Sequence, residues 1–160
     1  MSFQESIRTA IIETIKAFSA TSFDTVLADR VSDTEKLQYK PAQTYVAVSK
    51  GIRSTLWEGD GCARSVYAFQ VLVNSSKHRD IADTTDTVAQ GVANALRNRN
   101  HAASGFAAQL ATADTGANWL GKGYKVELSP FDSLTTPDGG TTRITYNLRI
   151  ELSHVWPLAE

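Results

Sequence analysis

Every second residue is apolar in the stretch TTRITYNLRIEL, which runs from Thr141 to Leu152. The apolar positions are Ile144, Tyr146, Leu148, Ile150 and Leu152, and the residues between them are Arg143, Thr145, Asn147, Arg149 and Glu151. Because successive side chains of a β-strand point to opposite faces of a sheet, this pattern predicts a strand with one buried and one exposed face. The rest of the chain must supply a core for the apolar face, and the charged face needs a role.

The length of 160 residues fits one domain, which we assign to residues 1–160. A domain of this size buries roughly two thirds of its surface on folding, so it needs no metal or disulfide for stability. The chain has 16 basic and 17 acidic residues, a net charge of −1. This balance argues against a general nucleic-acid binder, although it leaves a local basic patch open.

A single cysteine excludes an intrachain disulfide and favours a reducing compartment. The N-terminal residues MSFQESIRTA do not have the basic and apolar regions of a signal peptide. No apolar run approaches the roughly 20 residues of a membrane-spanning helix. We therefore expect a protein without membrane association that stays in the cytoplasm where it is made.

Two segments have helical periodicity. An amphipathic helix over residues 2–18 is predicted by apolar residues three or four positions apart, namely Phe3, Ile7, Ile11, Ile15 and Phe18. Ser2 and Glu5 fit a capping box at its start. The apolar residues of a second helix, expected over residues 80–98, are Ile81, Val88, Val92, Ala95 and Leu96.

Segments 19–43 and 100–120 lack a clear period, and we assign both to long loops or irregular backbone. The first is expected to contain a short strand or a helical turn. In the second, alanines favour a short helix around Phe106 and Leu110, whereas the glycines favour a loop. The sequence leaves these two alternatives open.

Further strands are predicted at residues 44–49, 66–73 and 124–131, where β-branched and aromatic residues dominate or alternate with polar ones. The glycine-rich stretches GDG and TTPDGG mark hairpin turns, which imply antiparallel pairing. Pro157 is expected to stop the last strand from extending. The element order predicts an α+β fold: a single domain with a mainly antiparallel sheet and two main helices packed on one face.

Patterns that would indicate catalysis or metal binding are weak. Cys62 has no Cys–His signature around it and is interpreted as a structural thiol. The histidines at positions 78, 101 and 154 lack metal-ligand spacing and are interpreted as surface residues. Asp80, Asp83 and Asp86 are spaced three residues apart at the start of a predicted helix. Their carboxylates could hold Mg²⁺, but stabilisation of the helix start explains them more simply. We therefore predict no cofactor, no metal site and no enzymatic activity.

The charged face of the last two strands is the remaining candidate. Its residues are Lys125, Glu127, Arg143, Arg149 and Glu151. One interpretation is a solvated face with cross-strand ion pairs, each contributing little to stability. The other is a subunit interface, because a face that carries both signs can complement its own copy, whereas a face of one sign repels it. The sequence favours neither.

The elements follow one another in a characteristic order. An N-terminal amphipathic helix and a long polar loop lead to the strand TYVAVS; the strand SVYAFQVLVNSS runs directly into the helix RDIADTTDTVAQGVANALRN; the pair GYKVELSPFD and TTRITYNLRIEL closes the chain. This order resembles that of the tail terminator, or tail completion, proteins of long-tailed bacteriophages. The resemblance covers most of the chain, is weakest over residues 19–43 and 100–120, and includes no catalytic signature.

The resemblance implies a virion structural protein of the tail or neck, assembled in the host cytoplasm. Such subunits form a ring, commonly a hexamer, that caps the tail tube, ends its polymerisation and offers an attachment surface to the head. The implied partners are other copies of the chain, the tail tube protein and a head–tail connector or neck protein, with DNA passing through the ring without sequence-specific recognition. Our candidates for subunit contacts are Glu127, Arg143, Arg149, Glu151 and Trp156.

Two alternatives stay open. The first is a head-closure or neck connector subunit. The second is a small α+β enzyme or ligand-binding domain that uses Asp80, Asp83 and Asp86.

Overall fold

The structure, a computed structural model, describes residues 2–19, 25–27, 45–75, 94, 96–97, 105–121, 123–135 and 142–159. Its helices are α1 (Phe3–Ser19) and α2 (Phe106–Ala113). Its strands are β1 (Thr25–Leu27), β2 (Tyr45–Val48), β3 (Ile52–Gly59), β4 (Cys62–Ser75), β5 (Lys125–Thr135) and β6 (Thr142–Val155). The predicted α+β class is confirmed.

The six strands found among the described residues belong to one sheet with the order β1, β2, β4, β6, β5, and β3 also pairs with β4. Only β1 and β2 run parallel; the other pairs are antiparallel. β2 and β3 lie along successive stretches of the same edge of β4, because β6 occupies the opposite edge along the whole of β4. The GDG turn joins β3 to β4, and its Gly61 has a φ of 76°, a conformation that favours glycine.

The first predicted helix is confirmed as α1. Phe3, Ile7, Ile11 and Ile15 of its apolar stripe are buried. The hydroxyl of Ser2 accepts a hydrogen bond from the backbone N–H of Glu5 at 3.2 Å, as the capping motif predicts. The buried guanidinium of Arg8 donates from Nε and Nη2 to the carbonyl of Val48, at 3.0 and 2.8 Å. These bonds fix α1 against β2.

The second predicted helix lies mostly outside the described residues, and so do Asp80, Asp83 and Asp86. Asn94, Leu96 and Arg97 are helical, in agreement with the prediction at these three positions. Leu96 is fully buried, and its carbonyl accepts a hydrogen bond from the hydroxyl of Tyr124 at 2.9 Å. This end of the helix therefore packs beside the start of β5.

A helix rather than irregular backbone occupies part of the segment 100–120. In α2 the side chains of Phe106 and Leu110 are fully buried, which explains why its apolar residues fold as a helix despite the flanking glycines. Asp114 ends this helix, and its carboxylate accepts hydrogen bonds from Asn118 Nδ2 at 3.2 Å and Trp119 N at 2.7 Å. The turns after α2 are thus held by one buried carboxylate.

The core lies between the sheet and both helices. The alternation in β6 is confirmed, because Tyr146, Leu148, Ile150 and Leu152 are all buried. They form one cluster with side chains of α1 and α2, which also contact each other. The helices therefore lie on the apolar face of the sheet, and the charged residues of β5 and β6 lie on its other face.

Candidate functional site

The sheet face that points away from the helices is called here the outer face. Directly paired residues of neighbouring strands share a face, so the register defines its members. They are Arg64, Val66 and Ala68 of β4, Asn147, Arg149, Glu151 and Ser153 of β6, and Lys125 and Glu127 of β5. Arg149 lies between Ala68 and Glu127, and Glu151 lies between Val66 and Lys125.

Glu151 is already paired within the subunit. Its Oε2 atom accepts hydrogen bonds from Nε and Nη2 of Arg64 at 3.1 and 2.9 Å, and Nη1 of Arg64 donates to Ser153 Oγ at 2.9 Å. Lys125 Nζ lies 4.0 Å from the same carboxylate oxygen. Arg64 and Glu151 each expose only 23% of their side chains, so this pair stiffens the outer face more than it offers charge to a partner.

Arg149 and Glu127 differ from that pair. They are directly opposite each other on β6 and β5, both are exposed, and within the described part of the chain neither forms an ion pair. They border a shallow depression of about 90 Å³ above Val66, together with Lys125 and Glu151. Two charges of opposite sign thus stand beside a small apolar floor, available to a partner.

Two further predicted contact residues are less informative. Arg143 lies in β6 opposite Asn74 and Leu134, and its side chain is outside the described part of the structure. Trp156 follows β6 and is half-buried; its ring lies 5.1 Å from Cζ of Arg53 and 6.3 Å from the His154 ring. Its own subunit therefore covers part of the indole, and its role in a subunit contact stays a prediction.

An apolar margin of the outer face was missed at the sequence level. Ile52, Leu56 and Trp57 of β3 expose 71%, 52% and 48% of their surface. A register shift between Thr55 and Trp57 makes Leu56 an extra residue, so that Trp57 pairs with Arg64 on the outer face. This bulge breaks the two-residue alternation, which is why sequence periodicity did not identify the strand.

The interpretation of His154 as a surface residue was wrong. His154 is fully buried, and its Nε2 atom lies 2.8 Å from the hydroxyl of Ser65, which is also fully buried. Nδ1 lies 2.8 Å from the carbonyl of Val155, so Nδ1 carries the proton and Nε2 accepts from Ser65. The strand continues three residues beyond Leu152. Because side chains two residues apart share a face, the inward position of Leu152 would have indicated that His154 is also buried.

A serine–histidine hydrogen bond could indicate a nucleophile and its base. Here burial lowers the pKa of His154, and although the Val155 carbonyl favours a proton on the ring, burial dominates. Neither side chain is exposed to solvent, so no substrate can approach the serine oxygen in this conformation. The pair is best explained as a satisfied polar contact within the core.

No group of three or more metal-ligating side chains lies together among the described residues. No helix in the described ranges is long and apolar enough to cross a membrane. These two findings concern only the part of the chain that the structure describes.

Comparison with known proteins gives little further information. No family model matches the chain, and no curated protein matches it. The fold is similar to one chain of a solved structure, "Virion of native gene transfer agent (GTA) particle", which has 15% sequence identity over 95% of this chain and 92% of that chain. The TM-score is 0.45, and a similarity at this level establishes neither a common family nor a common function.

Proposed function

We propose that this protein is a virion structural subunit that forms a homo-oligomeric ring, with six copies as the expected number. The ring caps the end of a phage tail tube, stops its polymerisation and presents a surface to the head connector. This proposal starts from the element order that resembles tail terminator proteins, and α1, β4 and the β5–β6 pair occur in that order in the fold.

The main support from the geometry is the exposed pair Arg149 and Glu127. An exposed ion pair within one subunit contributes about 0–1 kcal/mol, so such residues have little value for folding. Between two subunits the same charges fix register and exclude wrong partners. A surface that places both signs side by side can contact a second copy without net repulsion.

The apolar margin of β3 gives the second support. Three large apolar side chains, Ile52, Leu56 and Trp57, lie on one strand, and aromatic residues are enriched at protein interfaces. The outer face therefore combines an apolar margin with a central mixed-charge patch. An assembly that covers this face would remove the exposed apolar side chains from water and pair the charges between subunits.

A head-closure or neck connector subunit would use the same kind of surface, and it remains the second candidate. The two roles differ in the partner, since a terminator binds the tail tube and a head-closure subunit binds the head portal. The alternative of an enzyme that uses Asp80, Asp83 and Asp86 concerns residues outside the described part of the structure.

The assembly state tests the proposal. Purified protein is analysed by size-exclusion chromatography with light scattering, alone and after mixing with tail tubes, and the fractions are imaged by negative stain. A ring, either free or at the end of a tube, is the expected result. A protein that remains monomeric alone and binds neither end of a tube contradicts the proposal, and binding to portal rings alone supports the head-closure role instead.

A further inference from the structure

A second concave surface lies between the start of α1 and the start of β3, with Arg53 and Tyr67 on the helix-facing side of the sheet and Ile52 at its margin. It has a volume of about 450 Å³, which is within the range of small-ligand pockets. Its lining residues are Ser2, Phe3, Gln4, Gly51, Ile52, Arg53, Tyr67 and Leu158. None of them has a carboxylate, and Arg53 contributes the only formal side-chain charge in the lining, which is positive.

Two backbone acceptors in the wall of this pocket are satisfied within the fold. The side-chain amide of Gln4 donates to the carbonyl of Gly51, which satisfies that acceptor. The carbonyl of Ser2 accepts from the backbone and the hydroxyl of Ser6, at 3.0 and 3.1 Å. The carbonyls of Gly51 and Ser2 are thus used within the fold, whereas the guanidinium of Arg53 has further N–H groups to offer.

The buried hydroxyl of Tyr67 is the strongest sign that this pocket binds a ligand. Tyr67 is 1% exposed, and its hydroxyl has no hydrogen-bond partner among the described residues. Burial raises the pKa of Tyr67 to about 12; the charge of the Arg53 guanidinium and its N–H groups beside the phenol oxygen act in the opposite direction, and the Asp114 carboxylate adds to the rise. Arg53 can only donate, so the O–H of the protonated phenol still has no acceptor. A buried hydroxyl without a partner is uncommon and calls for an explanation. Arg53 lies directly opposite Tyr67 in the register of β3 and β4.

The remaining wall is apolar, formed by Phe3, Ile52 and Leu158. A positive group, an unpaired donor and the N-terminus of a 17-residue helix all favour a negative charge, and the helix dipole adds to the effect of Arg53. We infer that this pocket binds a carboxylate attached to an apolar body, held by Arg53 and Tyr67. The inference does not depend on the proposed ring function.

Binding is tested by NMR titration of the full chain with N-acetyl-leucine and with its uncharged amide, N-acetyl-leucinamide. The two probes have nearly the same size and apolar group and differ in the carboxylate. The acid is expected to bind at least tenfold more tightly, because the amide cannot pair with the guanidinium. Equal affinities for the two probes, or no binding of the acid up to about 10 mM, overturn the inference.

Three variants test which side chains hold the carboxylate. Arg53→Gln is expected to abolish the preference for the acid, and Tyr67→Phe to weaken binding of the acid about three- to tenfold by removing one hydrogen bond. Lys50→Gln is the matched control, because it removes a neighbouring exposed charge that does not line the pocket. If Arg53→Gln fails to fold, Tyr67→Phe decides: unchanged affinity for the acid in that variant contradicts the assignment.

The carboxylate can come from a small molecule or from an acidic side chain in a partner's peptide segment. A capped peptide, acetyl-Ala-Glu-Leu-Ala-amide, distinguishes these sources when it is titrated in parallel. Tighter binding of the peptide supports a protein-borne carboxylate, and tighter binding of N-acetyl-leucine supports a free one. Either result supports the proposed site only if the Tyr67→Phe variant binds the tighter ligand more weakly than the wild type does.

Discussion

The hydroxyl of Ser65 and the Nε2 atom of His154 form a 2.8 Å hydrogen bond between two fully buried side chains. In the neutral ring, Nδ1 donates to the Val155 carbonyl and Nε2 accepts from the Ser65 hydroxyl. Burial also lowers the pKa of His154 below its usual value of about 6.5. The folded state therefore opposes protonation of this ring.

This opposition makes stability depend on pH. Above a pH of about 6.5 the ring is neutral in both states and contributes no pH dependence. As the pH falls below that value, the unfolded state binds the proton first, and the free energy of unfolding decreases until the folded pKa is reached. We expect the urea midpoint of the wild type to be lower at pH 5.5 than at pH 7.5.

The variant His154→Gln isolates this effect, since an amide oxygen can still accept from Ser65 but does not titrate. The difference between the two midpoints should be smaller in the variant than in the wild type, and other titrating groups cancel in the comparison. Identical pH dependence in both proteins would show that His154 is not responsible.

Charge reversal on the outer face tests the subunit contact. Arg149→Glu and Glu127→Arg are each expected to reduce ring assembly, measured by light scattering, because each leaves two like charges where opposite charges met. The double variant restores opposite charges and should assemble better than either single variant. Subunit stability should change by less than about 0.5 kcal/mol, since both residues are exposed.

Lys16→Glu, which reverses an exposed charge on α1, is the control for that experiment. It should assemble like the wild type. If all three single variants reduce assembly equally, the effect arises from net charge and not from the outer face.

The partly buried carboxylate of Glu151 should matter for folding rather than for assembly. Glu151→Gln removes the charge that accepts two hydrogen bonds from Arg64, and we expect a loss of about 1–2 kcal/mol in the free energy of unfolding by urea. The matched control is Glu127→Gln, an exposed carboxylate on the same face, with an expected change below about 0.5 kcal/mol. Equal losses would mean that the Arg64 pair is not a stabilising contact.

Gly51 is required by its contact with Phe69. A Cβ atom at position 51 would lie 2.5 Å from Cε1 of the phenyl ring, well inside normal contact, and that ring is buried. Gly51→Ala should therefore destabilise the fold by about 1–3 kcal/mol in urea unfolding, as overpacking does. Gly123→Ala serves as a control because its Cβ meets open space; a loss as large as that of Gly51→Ala would rule out the clash as the cause.

Elements with an unbroken period could be predicted from the sequence. α1 and β6 each have one long apolar set at a constant spacing, and both were identified to within a few residues. The α+β class followed from them, because hairpin turns and two amphipathic helices restrict the arrangement of layers. The resemblance to tail terminators used the same order of elements and not any single residue.

Other features depend on long-range contacts that periodicity does not encode. Arg64 lies 87 positions from Glu151 along the chain, and only the β4–β6 register brings them together. The helix α2 was ambiguous because alanines and glycines are mixed there, and burial of Phe106 and Leu110 decided the outcome. The unpaired hydroxyl of Tyr67 had no sequence signal at all, since an inward tyrosine on an apolar strand is unremarkable.

The extra residue in β3 determines which chemistry the molecule shows to its surroundings. If the strand paired without a bulge, Leu56 would lie opposite Arg64 and Trp57 opposite Ala63, which would turn the indole from the outer surface toward the helices. The exposure of Trp57 at this margin therefore depends on the position of the extra residue as well as on the type of each side chain. Deletion of Leu56 would remove the bulge but keep the tryptophan opposite Arg64, so the indole would stay on the outer face and only the exposed leucine would be lost.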